Sequence, residues 1–415
     1  MKNKRIAKNT MYIYILTFSS YFIGLLLYPY ISRVLSVENF GLVGFSMSFV
    51  LIFQVIVEFG FMISSTALIS KNRDDKEEIS KIISTTMLAK ILLSIVSLTL
   101  FLICALFMPM IKENFLIVFI FFINSVLVVM LPDFFFRGIE QMRVITVRAV
   151  GVRMFSLLLV VLLVRGDSQV MLVPASLLIG NVVALFIALS DIKKRGINVN
   201  IKNTSIKEAI ISIKEAFLFF LSRLAVSINQ SLGSFFLGLK FLPNSFEMGI
   251  FSGTTRLSSA CEMLSPPLVD SIYPHMVKTK DYKLFKKVLI IGCIAWITVL
   301  TIGFIFAELI CTIVLGKAYI ASSKYLRILL IGLLFSFPNT MFGYAGLTPI
   351  GKAKHANIAL LISASINVIT CLVLWFLNQI SLTSICIVMA MSSFTSLIYR
   401  GSIFYKNRKL IHSND

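Results

Sequence analysis

The sequence predicts an all-α, polytopic membrane protein with about twelve transmembrane helices in two six-helix lobes. Three observations carry that prediction. Of 415 residues, 58% are apolar and only 14% charged, whereas about a quarter of an average soluble domain is charged. Apolar runs near the roughly 20 residues needed to cross a bilayer recur along the whole chain. Basic residues collect on alternate breaks between those runs. A disordered chain would need fewer apolar residues and more charge, so that class is excluded. The net charge of +20 is of a size seen in nucleic-acid binders, but its distribution follows membrane sidedness. No nucleic-acid partner is expected.

Twelve spans are expected at about 11–32, 41–69, 83–108, 115–136, 149–164, 170–189, 215–239, 249–275, 288–307, 325–347, 356–377 and 382–399. The first follows a basic segment, is too long for a cleavable signal and lacks a small-residue cleavage pattern, so it reads as a retained helix. The second is long and the fifth short, which predicts that one of them is tilted or partly interfacial. The breaks 1–10, 70–82, 137–148, 190–214, 276–287, 348–355 and 400–415 hold 28 of the 39 Lys and Arg, and the opposite loops hold six. That asymmetry predicts that both termini are cytoplasmic.

The long loop 190–214 divides the chain into expected lobes 1–200 and 201–415. A shift of 206 residues lays Lys8 on Lys214, Phe40 on Phe246 and Phe45-Ser46 on Phe251-Ser252. The matched first helices then run in the same direction. This predicts lobes related by an axis along the membrane normal, with a central cavity.

Ten charged residues fall inside the spans: Lys90, Arg153, Arg223, Arg256, Arg327, Glu58, Asp133, Glu215, Glu262 and Asp270. Arg327, Glu215, Asp133 and Asp270 sit near span ends, where side chains can reach the interface. The deeper cations lie on polar stripes of helical spacing: Arg223, Ser227, Gln230 and Ser234; Ser252, Arg256 and Ser259; Lys90, Ser94 and Ser97. Gln54 and Glu58 are one turn apart. Small polar residues alone glue membrane helices together, but an embedded cation needs water, a partner or an anion. Two readings stand: a water-filled cationic cavity, or structural ion pairs in which Glu58 and Glu262 neutralise two of the cations. Under the 206-residue shift Arg223 falls on Thr17 and Arg256 on Val50, which favours ligand handling over a scaffold role. Arginine suits phosphate because its planar fork gives paired hydrogen bonds and keeps its charge. Pro29, Pro132, Pro174, Pro266-Pro267 and Pro338 should kink their spans, and the double proline should bend the cytoplasmic half of the eighth.

Enzyme chemistry has no signature. The six cysteines and three histidines are dispersed without metal-ligand spacing. Residues 343–354 contain glycines, a proline and lysines but not in P-loop order. No catalytic residue, metal or cofactor is expected.

Several short motifs, in order, resemble one family. They are Lys8-Asn9-Thr10; Ser32-Arg33-Val34-Leu35 with Phe40-Gly41; Phe136-Arg137-Gly138-Ile139-Glu140-Gln141-Met142; Gly316-Lys317-Ala318-Tyr319; and Gly351-Lys352-Ala353-Lys354 with Asn367. The chain resembles the Wzx-type O-antigen flippases of the multidrug/oligosaccharidyl-lipid/polysaccharide exporter superfamily over nearly its whole length. The resemblance implies a bacterial inner-membrane protein that moves undecaprenyl-pyrophosphate-linked oligosaccharide from the cytoplasmic to the periplasmic leaflet by alternating access. It further implies a proton or sodium gradient as driving force, and the pathway's polymerase and chain-length proteins as partners. The expected substrate-binding residues are Arg223, Arg256, Arg153, Lys90 and Gln230, and the expected ion-coupling residues Glu58 and Glu262. Related cation antiporters carry an acidic residue in their first helix, and the first span here has none. The family's lipid II flippases typically have two more helices than this chain has room for. A polysaccharide polymerase needs a sizeable outside loop, and the outside loops are short.

Overall fold

The computed structural model describes residues 2–201 and 204–408, and all regular structure among them is helical. The chain forms α1 (Lys2–Val34), α2 (Val37–Glu58), α3 (Phe61–Lys71), α4 (Lys76–Phe107), α5 (Pro109–Lys112), α6 (Phe115–Met130), α7 (Asp133–Gly138), α8 (Met142–Leu163) and α9 (Leu172–Lys194). It continues through α10 (Ile206–Lys240), α11 (Phe246–Glu262), α12 (Ser265–Thr279), α13 (Tyr282–Ile305), α14 (Ala307–Val314), α15 (Ser322–Leu333), α16 (Ser336–Thr340), a π-helical stretch at Met341–Leu347, α17 (Ala353–Phe376) and α18 (Leu382–Lys406).

Ten helical stretches among the described residues are long and apolar enough to cross a membrane. They account for ten of the twelve expected spans. The seventh and eighth fall on α10 and on α11–α12. The middle of α10 is loaded with Arg223, Ser227, Asn229, Gln230 and Ser231, and the eighth span is divided into helices of 17 and 15 residues. Pro266 and Pro267 therefore do more than bend a helix: α11 stops at Glu262, and the prolines sit in the first turn of α12, where no intrahelical N–H is needed. The fifth span is not short. Arg143 and Arg148 make its start read as a loop, yet both lie within the 22-residue α8. The second span is broken, with positive φ at Phe59 (47°) and Gly60 (89°) between α2 and α3.

The chain divides into two compact units, residues 1–36 with 46–227, and 37–45 with 228–415. Of the three boundaries, one falls between α1 and α2 and the other two fall inside α2 and α10. In the first unit α8 packs on α1 and α9, α6 on α9, and α3 on α7. Its core centres on Phe134, Phe135 and Phe136 with Ile69, Ile83, Ile145 and Ile192. A second aromatic group joins Phe53, Phe101 and Phe122, with ring centroids 4.7–5.8 Å apart.

In the second unit α18 packs against α15 and α17, and α11 against α15. Small residues explain why the start of α2 belongs here. A Cβ on Gly41 would lie 2.6 Å from the Gly249 nitrogen, and one on Gly249 would lie 2.0 Å from the Val37 carbonyl oxygen. One on Gly44 would meet Ser252 Oγ at 2.2 Å. Backbone touches backbone only because these side chains are absent. The contacting segments include those that the 206-residue shift superposes. Buried Arg400 ties α18 to its neighbours: Nη2 donates to the Ala356 carbonyl at 2.9 Å, and Nη1 to the Asn339 carbonyl and Oδ1, both at 3.0 Å. Its guanidinium lies against Gly343 in the π-helical stretch.

Gly249→Ala should therefore force backbone apart in the second unit. The expected loss is about 1–3 kcal/mol, read as a lower midpoint in thermal unfolding of the purified protein in detergent. Gly151, whose Cβ would meet nothing within 4 Å, should tolerate alanine in the same assay.

Candidate functional site

The first unit holds a cavity of about 420 Å³, reached by side chains from α1–α4, α6–α9 and the first half of α10. Four cations line it, Lys90, Arg148, Arg153 and Arg223, with two carboxylates, Glu58 and Asp133. How each is held follows from where the helices break.

Lys90 is in α4 and only 1% exposed. Its Nζ donates to the Val129 carbonyl at 2.6 Å and lies 4.9 Å from the centre of the Phe134 ring. Val129 is in the last turn of α6, where carbonyls lack helical N–H donors, and Pro132 supplies no N–H to continue the ladder. Asp133 opens α7 on the far side of that break, and its carboxylate accepts a hydrogen bond from Arg148 Nη2. The Arg148 guanidinium also lies over Phe136, while its Nε and Nη1 are buried and find no hydrogen-bond partner among the described residues.

Glu58 ends α2. Its two oxygens accept from the backbone N–H groups of Gly60 at 2.9 Å and Met62 at 2.8 Å, so it caps α3 across the break. Phe59 stacks on Phe220 of α10 at 4.3 Å and 7°. A Cβ on Gly60 would lie 2.6 Å from Phe219 Cβ. Arg223, one turn farther along α10, reaches Glu58 with Nε at 3.9 Å from Oε2. Arg153 lines the cavity from α8, and Asn124 and Asn181 hydrogen-bond to each other at 2.8 Å beside it.

Of the residues picked from the sequence, Lys90, Arg153, Arg223 and Glu58 come together here. Gln230, Arg256 and Glu262 belong to the second unit and do not line this cavity. Gln230 and Glu262 are exposed there and Arg256 is half-buried. Arg148, Asn124 and Asn181 were not picked out by sequence reasoning, and Asp133 was expected at an interface. The available signal was the spacing of Arg148, Val152 and Ser156 at i, i+4 and i+8, which puts all three on one face of α8. Val152 and Ser156 approach α9 where Gly180 has no side chain.

Residues 6–280 match the family model described as polysaccharide biosynthesis protein. A Shigella dysenteriae protein, curated as a candidate O-antigen transporter, is 25% identical over 368 residues, which are 87% of this chain and 91% of that protein. The fold is similar to that of an inward-facing MATE-family multidrug transporter of the MOP superfamily, with TM-score 0.68, 14% identity and coverage of 96% of this chain and 95% of that one. It is also similar to that of the lipid II flippase MurJ in an inward closed conformation, with TM-score 0.65, 14% identity and coverage of 98% and 89%. The fold is thus of the MATE type.

Arg148→Ala should strand the Asp133 carboxylate among apolar side chains and cost about 3–5 kcal/mol. Asp133→Asn in the same chain should recover most of that loss. A double-mutant cycle on unfolding in detergent reads the coupling.

Proposed function

The chain belongs to the polysaccharide biosynthesis protein family, and from that premise we propose that it is a flippase for oligosaccharide carried on a lipid diphosphate. The observation that supports this most is the first unit's cavity, where cations outnumber carboxylates inside an apolar helical bundle. A diphosphate cannot enter hydrocarbon bare, because desolvating its charge is too costly. Arginines facing a cavity offset that cost with charge-assisted hydrogen bonds. The lipid tail remains in the bilayer while the headgroup crosses by alternating access.

The proposed carrier is undecaprenyl pyrophosphate and the proposed location the bacterial inner membrane, with both termini cytoplasmic. The basic loops support that orientation. Polymerase and chain-length proteins acting on the delivered units are the proposed partners. Arg256 and Gln230 serve substrate from the second unit. Coupling to a proton or sodium gradient enters at Glu58, with Glu262 as second carboxylate.

Complementation tests this reading. In a strain lacking its own flippase, the chain should restore surface glycan. Arg223→Ala and Arg256→Ala should each lower that glycan by roughly tenfold, the scale of one lost charged hydrogen bond, while membrane insertion stays intact. Full glycan from both variants would remove the cationic residues from the mechanism. Chain extension by the purified protein without transbilayer movement would make it a polymerase.

A further inference from the structure

Two breaks that the 206-residue shift lays on each other differ in charge. The break 70–82 holds four Lys or Arg and four Asp or Glu, whereas 276–287 holds five lysines and one aspartate. The helices that follow them start alike. Asp75 caps α4 by accepting from the Glu77 and Glu78 N–H groups, and Asp281, at the shifted position, caps α13 by accepting from the Leu284 N–H at 2.9 Å. The flanking residues differ: Asp74, Glu77 and Ser80 correspond to Lys280, Lys283 and Lys286. The first turn of a helix favours negative charge, so helix stability does not call for Lys283. Membrane sidedness calls for Lys and Arg but not for the loss of acids, which contribute little to it. Near the first break Arg73 pairs with Glu140 and Lys81 with Glu208. In the second break Asp281 is engaged as the cap, and none of the five lysines has an ion pair among the described residues.

We infer that the basic start of α13 is a docking surface for the headgroup of an anionic phospholipid, whose acyl chains lie along the same face of the helix. Lys278, Lys283, Lys286 and Lys287 are exposed. Lys283 and Lys287 are one turn apart, and Ile290, Ile294 and Ile297 continue their face at helical spacing. All three isoleucines are exposed. The opposite face is held inside the second unit. Phe285 stacks on Phe404 of α18 with ring centroids 4.9 Å apart, and Trp296 Nε1 donates to the Leu333 carbonyl at 2.7 Å. These contacts fix which face of α13 turns outward. Among the described residues α13 is the least buried of the ten apolar stretches, so that face is open to lipid. From Lys287 to Ile297 the helix rises about 15 Å, half the thickness of a bilayer's hydrocarbon core. The ammonium groups thus stand at headgroup level above an apolar stripe one leaflet deep. A zwitterionic headgroup carries a cation that cancels its phosphate, and an anionic one does not, so charge selects the anionic lipid. A soluble anion would meet the lysines and leave the stripe uncovered, whereas a lipid covers both. The inference does not depend on what the chain carries across the membrane.

The test counts bound lipid by native mass spectrometry on the purified full-length chain in detergent. The probes are dioleoyl phosphatidylglycerol, which is anionic, and dioleoyl phosphatidylcholine, which is zwitterionic. The first phosphatidylglycerol should bind at least roughly tenfold more tightly than the first phosphatidylcholine, because each lysine near an anionic headgroup contributes about fivefold. Lys283→Gln combined with Lys287→Gln should remove most of that preference. Lys71→Gln combined with Lys76→Gln takes the same charge from the break 70–82 and should leave the preference in place. All four side chains are exposed, so neither pair of substitutions carries a folding burden. Lys283→Glu, which copies Glu77, should weaken phosphatidylglycerol binding further than Lys283→Gln. On the unaltered chain, raising ammonium acetate from about 0.05 M to about 0.5 M should shrink the preference, since exposed charges are screened. Equal affinity for the two lipids overturns the docking surface. So does a preference that persists in the Lys283→Gln, Lys287→Gln chain. An equal loss in both doubly substituted chains also overturns it, because binding would then follow overall charge rather than the start of α13.

Discussion

A charge inside an apolar helical bundle must find a counter-charge or a hydrogen-bonding group there, and an unbroken helix offers neither from its backbone. All its N–H and C=O groups are spent on itself. The structure meets this constraint by placing charges at helix breaks. The α6–α7 break frees the Val129 carbonyl for Lys90 and sets Asp133 at a new helix start, where it meets Arg148. The α2–α3 break frees the N–H groups of Gly60 and Met62 for Glu58. In the second unit Arg400 takes carbonyls from Ala356 and Asn339, beside a π-helical stretch. Lys90, Asp133 and Glu58 are thus held at breaks, whereas Arg153 and Arg223 stand within α8 and α10 and face the cavity.

The breaks also fix where a ligand can be met. Gly60 is the only residue type that suits its place, by its φ of 89° and by the nearness of Phe219 and Ala216. That closeness lets α10 lay Arg223 beside Glu58 at the cavity. The positive φ at Phe59 is costly for a side chain of that size and is offset by its stacking on Phe220. Strain, cap and cation converge on a single turn of backbone.

Hydropathy made the long helices legible, because a bilayer demands one unbroken apolar length whatever the helix packs against. It also recovered Lys90, Arg153, Arg223 and Glu58, since a charge in an apolar run stands out. Arg148 was hidden for the opposite reason. It follows Arg137 and Arg143 in a polar stretch and reads as one more loop cation, although α8 buries it. The α2–α3 break was hidden by Phe59, an apolar residue at a turn. What reveals it is the pairing of a left-handed glycine with a glutamate two residues earlier. The balanced count of ten intramembrane charges hid part of the cavity's positive excess, and Arg148, outside that count, supplies the rest.

On the proposed function, the excess positive charge in the first unit's cavity carries a diphosphate headgroup through the membrane. The most direct measurement is transbilayer movement in vesicles holding only this protein, comparing a lipid diphosphate oligosaccharide with the same oligosaccharide on an uncharged lipid linker. The diphosphate should cross, and the uncharged analogue should remain near the rate of protein-free vesicles. Equal rates for the two would show that the cavity's charge is not what carries the headgroup.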